Sequence, residues 1–346
     1  MQVLIVGGTG LISTAITREL VARGEQVTLY NRGQREPALA PDILAATRRI
    51  TGDRTDHARF EAQIAAAGPW DCVIDMICFE PAEAESAVRA FRGRAGQYIF
   101  CSTVDVYTKP AARYPVHESA ERQPRPSFPY AWNKAACERV FEAAQRCGDL
   151  NVTMIRPAHT YGPGGRLVHS LGFDTYFFDR VRRGLPLIVH GDGKGLWAAC
   201  HRDDAGRAFA GAVGNPAAVG KAYHVTGDEW LTWDAYHQGV ALAMGAPATE
   251  LVHISADWLY RAMPKTALWC VENFQYPNIF DNTASKADLG FRYTIPWVEG
   301  VGQVPAWLKA HGQIASADDS PWYDQLIALW RQGAANAAAA LAPYDQ

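Results

Sequence analysis

Apolar residues gather in short unbroken runs over the first half of the chain. Val3 to Val6 is such a run, closed by Gly7 and Gly8. A stretch that short and that uniform suits a parallel strand buried on both faces. From Leu11 the spacing changes, and Leu11, Ala15, Ile16, Leu20 and Val21 fall on one side of a helix. Strands are predicted at Val27 to Tyr30, Arg48 to Thr51, Cys72 to Ile77, Gln97 to Cys101 and Val152 to Arg156. Helices are predicted at Ala58 to Ala66, Pro81 to Phe91 and Tyr130 to Gln145. Alternation of strand and helix over the first ~160 residues predicts a parallel sheet with right-handed crossovers. The segment Lys109 to Phe128, rich in Pro, Arg and Ser, reads as a long loop. Beyond Gly162 the pattern loosens, and Pro, Gly and Trp become frequent. Arg202 to Ala212 and Ala222 to Val225 read as one more helix and strand, returning to the main sheet. Ser320-Pro321 opens a last helix, with Ser as N-cap and Trp322, Leu326, Ile327 and Trp330 on one side.

Composition narrows the class without changing this picture. The 346 residues are 48% hydrophobic and 20% charged, with a formal net charge of -3. That is an ordinary globular profile, with no overall field favouring nucleic acid or an anionic membrane. Seven cysteines are scattered without C-x-x-C spacing, so no zinc or redox motif is expected and no metal is assigned. Reduced thiols fit a cytoplasmic protein. With a strand starting at Gln2 and no apolar run of bilayer length, neither a signal peptide nor a membrane span is expected.

Gly7-Gly8-Thr9-Gly10-Leu11-Ile12-Ser13 lies between the first strand and the first helix. Glycines there let the backbone approach a pyrophosphate, and the helix start offers free N–H groups and a positive dipole end. The position, more than the glycines alone, points to a dinucleotide cradle made by Gly7, Thr9, Gly10, Leu11 and Ile12. Ser13 stands where the usual pattern has a third glycine. The fold class expected is therefore α/β, a doubly wound parallel-sheet Rossmann fold with a smaller C-terminal substrate-binding lobe. The dinucleotide-binding domain is expected over 1–165, with 201–226 returning to it, and the lobe over 166–200 and 227–346. The second strand ends Tyr30-Asn31-Arg32-Gly33. An acidic residue here would bind ribose hydroxyls, whereas Arg32 suits a 2′-phosphate, so Asn31-Arg32 favours NADP over NAD. Asp53, after the third strand, is a candidate for the adenine amino group or a simple turn cap.

Tyr130 and Lys134 stand four residues apart, on one face of a helix. A nearby ammonium favours the phenolate, which makes Tyr130 a candidate general acid/base for converting a hydroxyl to a carbonyl. Ser102 and Thr103 close the fifth strand, at the carboxyl edge where open α/β sheets bind ligands. Glycine loop, hydroxyl strand end and Tyr/Lys helix occur in the order such chemistry needs.

On these motifs the chain resembles the NAD(P)-dependent epimerase/dehydratase family of extended short-chain dehydrogenase/reductase enzymes. The resemblance rests on GGTGLIS at 7–13, Gly52-Asp53, STVDVY at 102–107, YAWNK at 130–134 and RPAHTYGPG at 156–164. Weaker echoes lie at 201–209 and 285–291. It implies that Thr103 hydrogen-bonds the substrate oxygen, that Tyr130 moves the proton, that Lys134 also holds the nicotinamide ribose, and that Pro157 borders the cofactor. It further implies a homodimer through the Tyr130 and Pro81 helices.

Three departures from the family pattern bear on substrate. Family dehydratases carry Thr-Asp-Glu where this chain has Thr103-Val104-Asp105, so the middle acid is gone and Asp105 alone remains as a candidate base. The Asn of sugar epimerases is His159, a candidate substrate contact. The arginine that grips a nucleotide pyrophosphate is Trp197, so a bidentate anion clamp is replaced by an aromatic ring. The leading expectation is a sugar or nucleotide-sugar epimerase acting through transient oxidation of a secondary hydroxyl. The alternative is a dehydrogenase, reductase or dehydratase on a non-nucleotide substrate. A rival of another class is an RNA-binding or regulatory protein, since residues 173–192 resemble a chloroplast branch reported to bind RNA. The absence of a basic run and the intact Thr103, Tyr130 and Lys134 speak against it.

Overall fold

A computed structural model of the chain describes residues 1–34 and 38–345. The uniform apolar runs become parallel strands: β1 (Gln2–Val6), β2 (Gln26–Asn31), β3 (Arg48–Thr51), β4 (Trp70–Asp75), β5 (Ala95–Cys101) and β6 (Val152–Pro157). After β6 the chain leaves through four short strands, β7 (His159–Tyr161), β8 (Leu187–His190), β9 (Leu196–Trp197) and β10 (Ala199–His201). It comes back as β11 (Ala222–Val225), paired in parallel with β6. The central sheet has seven strands in the order β11-β6-β5-β4-β1-β2-β3. The winding direction reverses between β1 and β4, and open α/β sheets bind ligands at the carboxyl ends beside that reversal. This is the doubly wound Rossmann-like architecture.

Helices cover both faces. Val3 and Ile5 of β1 face a core shared with α1 (Leu11–Ala22), whereas Leu4 and Val6 face the other side. After the short α2 (Pro41–Ala45), that other side is covered by α3 (His57–Ala67), α4 (Pro81–Phe91) and α5 (Pro129–Arg146). Phe60, Phe91, Tyr98 and Phe141 are fully buried there; each such side chain contributes roughly 1.5–3 kcal/mol. After α6 (Tyr176–Arg183), α7 (Arg202–Ala212) packs beside α1, where a Cβ at Gly206 would sit 2.7 Å from Ala15 Cβ. A separate aromatic core, including Trp233, Tyr236, Phe274, Trp297 and Tyr323, fills the C-terminal lobe.

β4 lies two residues earlier than its apolar pattern predicts. The strand stops at Asp75, whose carboxylate meets Arg54 at 2.9 Å and the Tyr98 hydroxyl at 2.5 Å. Met76 and Ile77 are apolar for another reason: they line a cavity. The last helix, Pro321–Leu341, buries Tyr323, Leu326 and Ile327 and leaves Trp322 and Trp330 half-buried against the lobe core. Ser320 precedes it but makes no side-chain capping bond. Among the described residues no helix is long and apolar enough to cross a membrane.

Candidate active site

The glycine loop connects β1 to α1. Gly7 has a φ of +91°, and a Cβ there would fall 2.6 Å from Ile77 Cγ2. Glycine alone fits that conformation and that space. Gly10 precedes α1 in extended conformation, and no side chain caps the helix. The Ser13 hydroxyl folds back on Gly10, accepting its N–H at 2.7 Å. Serine therefore braces the loop while lining the same cavity. Gly7, Gly10, Leu11 and Ile12 border a cavity of about 580 Å³ that runs on towards the lobe.

Thr103 lies two residues past the end of β5 and caps a single turn, Val104–Val106. Its hydroxyl accepts the Asp105 N–H and donates to Asp105 Oδ2, both at 3.2 Å. Thr103 and Tyr130, on the first turn of α5, line the same cavity, and the Thr103 hydroxyl pulls the Tyr130 phenol's pKa down. Lys134, one turn on, is buried and donates to the carbonyls of Cys78 at 2.9 Å and Cys101 at 2.8 Å. Its ammonium also lies over the Phe79 and Phe100 rings. Desolvation, then the Asp105 charge, holds the Tyr130 phenol above its ordinary pKa. The lowering expected from Lys134 is absent in this geometry, where the ammonium donates to two carbonyls.

Beneath this cluster lies an ionic post that sequence reasoning missed. Glu138, fully buried on α5, accepts from Ser102 at 2.6 Å and from Arg156 at 2.7 and 2.9 Å. Arg122 completes it at 2.5 Å. Arg156 above all, and Arg122 with it, keep the Glu138 carboxyl below its ordinary pKa despite burial. The post fixes α5 against the ends of β5 and β6, and so sets Tyr130 against Thr103. Its only sequence signal was Arg156 within the motif at 156–164.

The rest of the cavity wall is aromatic. Trp269 stacks on Tyr130 at 6.1 Å and 29° and meets Phe128 edge-on at 4.7 Å. Phe173 bridges Trp269 and His159. Trp197 packs edge-on against Phe274, on the π-helical turn Cys270–Phe274. Such turns often serve sites, since the extra residue re-aims side chains. No periodicity announces this turn, so Phe274 escaped the sequence reading, and nothing there singled out Trp269 from the other C-terminal tryptophans. Trp197 is 5% exposed, and its indole N–H has no partner among the described residues. Burial pushes the His159 imidazole down to about 3, and its Nε2 accepts the Val168 N–H at 3.3 Å. His159 is therefore a neutral ring at ordinary pH.

The cavity thus brings together Gly7, Gly10, Leu11, Ile12, Thr103, Asp105, Tyr130, Lys134, Pro157, His159 and Trp197. Thr9, Asn31, Arg32 and Asp53 are not in its wall. Asn31, Arg32 and Asp53 stand at the carboxyl ends of β2 and β3, on the edge the glycine loop shares, as Gly7 N–H donates to Tyr30 O at 2.9 Å. The Asn31 side-chain N–H₂ is buried without a partner among the described residues. Asp53 caps a local turn, accepting from the N–H and hydroxyl of Thr55. That bond, with the Arg32 charge, lowers its pKa. A cradle only glycine can line, an uncapped helix start and an orphaned Asn31 amide fit a dinucleotide.

Comparison with known proteins decides the family. The family model described as NAD dependent epimerase/dehydratase matches residues 3–226. The chain belongs to that family. The NAD-dependent epimerase/dehydratase family is one of enzymes, and this chain is an enzyme of its type. It is 29% identical to a 2'-dehydrokanamycin reductase of Streptomyces kanamyceticus over 325 residues, 92% of this chain and 87% of that one. It is 30% identical to the chloroplast stem-loop binding protein of 41 kDa b of Arabidopsis thaliana, over 73% of this chain and 65% of that one. Among solved structures, a UDP-glucose-4-epimerase from Stenotrophomonas maltophila with bound NAD superposes with a TM-score of 0.72 at 18% identity. That alignment covers 91% of this chain and 100% of the other and speaks for the fold alone.

Proposed function

We propose that the protein is an NAD(P)-dependent oxidoreductase that interconverts a ketone and a secondary alcohol on a ring substrate carrying no diphosphate. The observation that carries this reading is the wall opposite the glycine loop. Trp197, Trp269, Phe173, Phe274 and Phe280 make it aromatic, and no arginine lines the cavity among the described residues. Its one lysine, Lys134, is spent on two carbonyls. A nucleotide diphosphate in that wall would be desolvated without a counter-charge, which costs several kcal/mol per ion. A neutral or aminated ring would stack on Trp197 or Trp269 and accept the free Trp197 N–H. The relative named a 2'-dehydrokanamycin reductase, matched over nearly the whole chain, supports the reductase direction. The UDP-glucose 4-epimerase of Mycolicibacterium smegmatis is matched over only 58% of this chain.

The nicotinamide supplies or takes up a hydride when bound. Thr103 orients the substrate oxygen by a hydrogen bond, Tyr130 gives or takes the proton there, and the aromatic wall excludes water. Lys134 ties the end of β5 to the β4–α4 connection, where it would hold the nicotinamide ribose. Arg32, exposed beside the edge, suits a 2′-phosphate, so NADP is the preferred form. An epimerase would share the oxidation step but would need to hold and turn its ketone before re-reduction.

The test is a panel of ketones with NADPH or NADH, read by absorbance at 340 nm. It includes an oxidised aminoglycoside, a 2-alkyl-3-oxoalkanoate, an aromatic quinone and, as counter-test, UDP-glucose. Stoichiometric loss of reduced cofactor with a non-nucleotide ketone is expected. Conversion of UDP-glucose with no net change at 340 nm would reverse the assignment.

A further inference from the structure

Asp105 lines two cavities at once. On one side is the main cavity, with Thr103 and Tyr130. On the other is a small outer cleft lined by Asp105, Tyr107, Lys109, Pro124, Arg125, Phe128 and Glu272. Lys109 spans the gap between them. Its ammonium stands 3.5 Å from Asp105 Oδ1 and donates to the side-chain oxygens of Asn273 and Asn278. Asp105 Oδ1 also accepts from Asn273 Nδ2 at 2.9 Å, and Oδ2 accepts from Thr103 at 3.2 Å. The side chains of Lys109 and Asp105 are only 10% and 11% exposed. Lys109, Asp105 and Thr103 thus stand in a contiguous row, and Thr103 shares the wall of the main cavity with Tyr130.

We propose that Lys109 and Asp105 form a proton path that refills Tyr130 through Thr103 from the outer cleft. The inference rests on the ketone-reductase reading above and adds two residues to it. Each ketone reduced takes one hydride at carbon and one proton at oxygen, the proton leaving the Tyr130 hydroxyl. The phenolate takes the Thr103 hydroxyl proton, and Thr103 takes one from the Asp105 carboxyl. Asp105 was itself protonated by the Lys109 ammonium. Water in the outer cleft returns a proton to the Lys109 amine, so the net uptake is one proton from solvent per turnover. Lys134 is held by two carbonyls and stays clear of this line.

Desolvation lowers the Lys109 pKa to about 8, against the opposing pull of Asp105. A lysine so tuned exchanges protons near working pH, which an arginine cannot. The charged or titratable groups facing it are Asp105 from its own segment, Glu272 from the π-helical turn, Arg125 from the loop, and Tyr107. Glu272 is engaged by Arg125 at 3.8 Å and by Ser127 at 2.8 Å. Asn273 and Asn278 bring no charge.

Lys109→Arg separates conduction from support, because it keeps the ion pair but not the exchangeable proton. The assay uses NADPH and whichever ketone of the panel wild type turns over fastest. With Lys109→Arg we expect kcat to fall at least ~10-fold, KM and NADPH affinity to stay within ~2-fold, and the fall of wild-type rate above pH 8 to disappear. Lys109→Ala should behave alike and regain rate on adding methylamine. Asp105→Asn, close to isosteric, gives a third reading should the alanine variant fold poorly. Wild-type rate and pH profile in Lys109→Arg would overturn the path, as would a Lys109→Ala loss that methylamine leaves unchanged. If wild type reduces no ketone at all, the reductase reading itself fails and takes this proposal with it.

Discussion

Tyr130 illustrates how little one side chain decides alone. Its phenol is held above the usual pKa by burial and by Asp105, so in the resting protein it is a proton donor and not a phenolate. Reduction of a ketone needs that form. Tyr130→Phe is therefore expected to lower kcat by 100-fold or more while NADPH still binds, as cofactor fluorescence and 340 nm kinetics would show together. Arg32 makes a second test at this scale. Arg32→Ala should weaken NADPH at least ~10-fold and leave NADH nearly unchanged, since one charge-assisted contact is worth roughly 1.5–3 kcal/mol. Equal affinities in both proteins would overturn the proposed preference for NADP. Glycine loop, Thr103, Tyr130 and Lys134 were legible because each is a short motif at a fixed place on a strand or helix end. Lys109, Asn273 and Asn278 were not. Their partners lie up to 169 positions away, and a loop lysine among prolines carries no pattern that separates it from a solvated one.

Elements are held to one another by few groups. Glu138 on α5 ties Ser102 after β5, Arg156 on β6 and Arg122 of the long loop into one buried cluster. Removing its charge leaves the Arg156 guanidinium uncompensated in the interior, whereas Arg122 keeps Glu142 at 2.6 Å. Glu138→Leu should cost about 3–5 kcal/mol, read as a fall in thermal midpoint, and should displace Tyr130 from Thr103. A midpoint within 1 °C of wild type would show that α5 is positioned by its apolar face instead. Helices and strands were predictable where periodicity is strong, as along α1, α4 and α5. β4 was misplaced by two residues because apolar cavity-lining positions, Met76 and Ile77, imitate a strand. The lobe was the least legible part: its side chains converge from β9, the π-helical turn and the segment around Phe173, and no single stretch of sequence contains the wall they make.

Across the whole molecule, five histidines are almost wholly buried, and burial holds each of them, His201 included, below the ordinary imidazole pKa. His169, His190, His224 and His237 are all at most 3% exposed. Burial pushes them to about 3, 4, 3 and 4 respectively. The unfolded chain protonates such groups near 6.5, well above the folded values, so acid favours unfolding. Their contribution is complete above pH 6.5 and drains away as pH falls towards 4. The thermal midpoint should drop by several degrees between pH 7.5 and pH 5.5, and a double His169→Phe, His237→Phe variant should flatten that slope. A midpoint that holds steady over this interval would mean the rings find hydration the packing does not offer. Parallel pairing was readable at this scale from alternation, and the doubly wound form from the glycine loop after the first strand, whereas the closeness of these rings depends on contacts between distant segments.

β6 and β11 are neighbours in the sheet, yet 64 residues separate Pro157 from Ala222. Chain growing on a ribosome therefore exposes one raw edge of β6 until the whole intervening excursion has been made. That edge presents unpaired N–H and C=O groups ready to recruit any passing strand. Shortened chains ending between residues 160 and 220 are expected to accumulate as insoluble aggregates, while synthesis past residue 226 seals the seam.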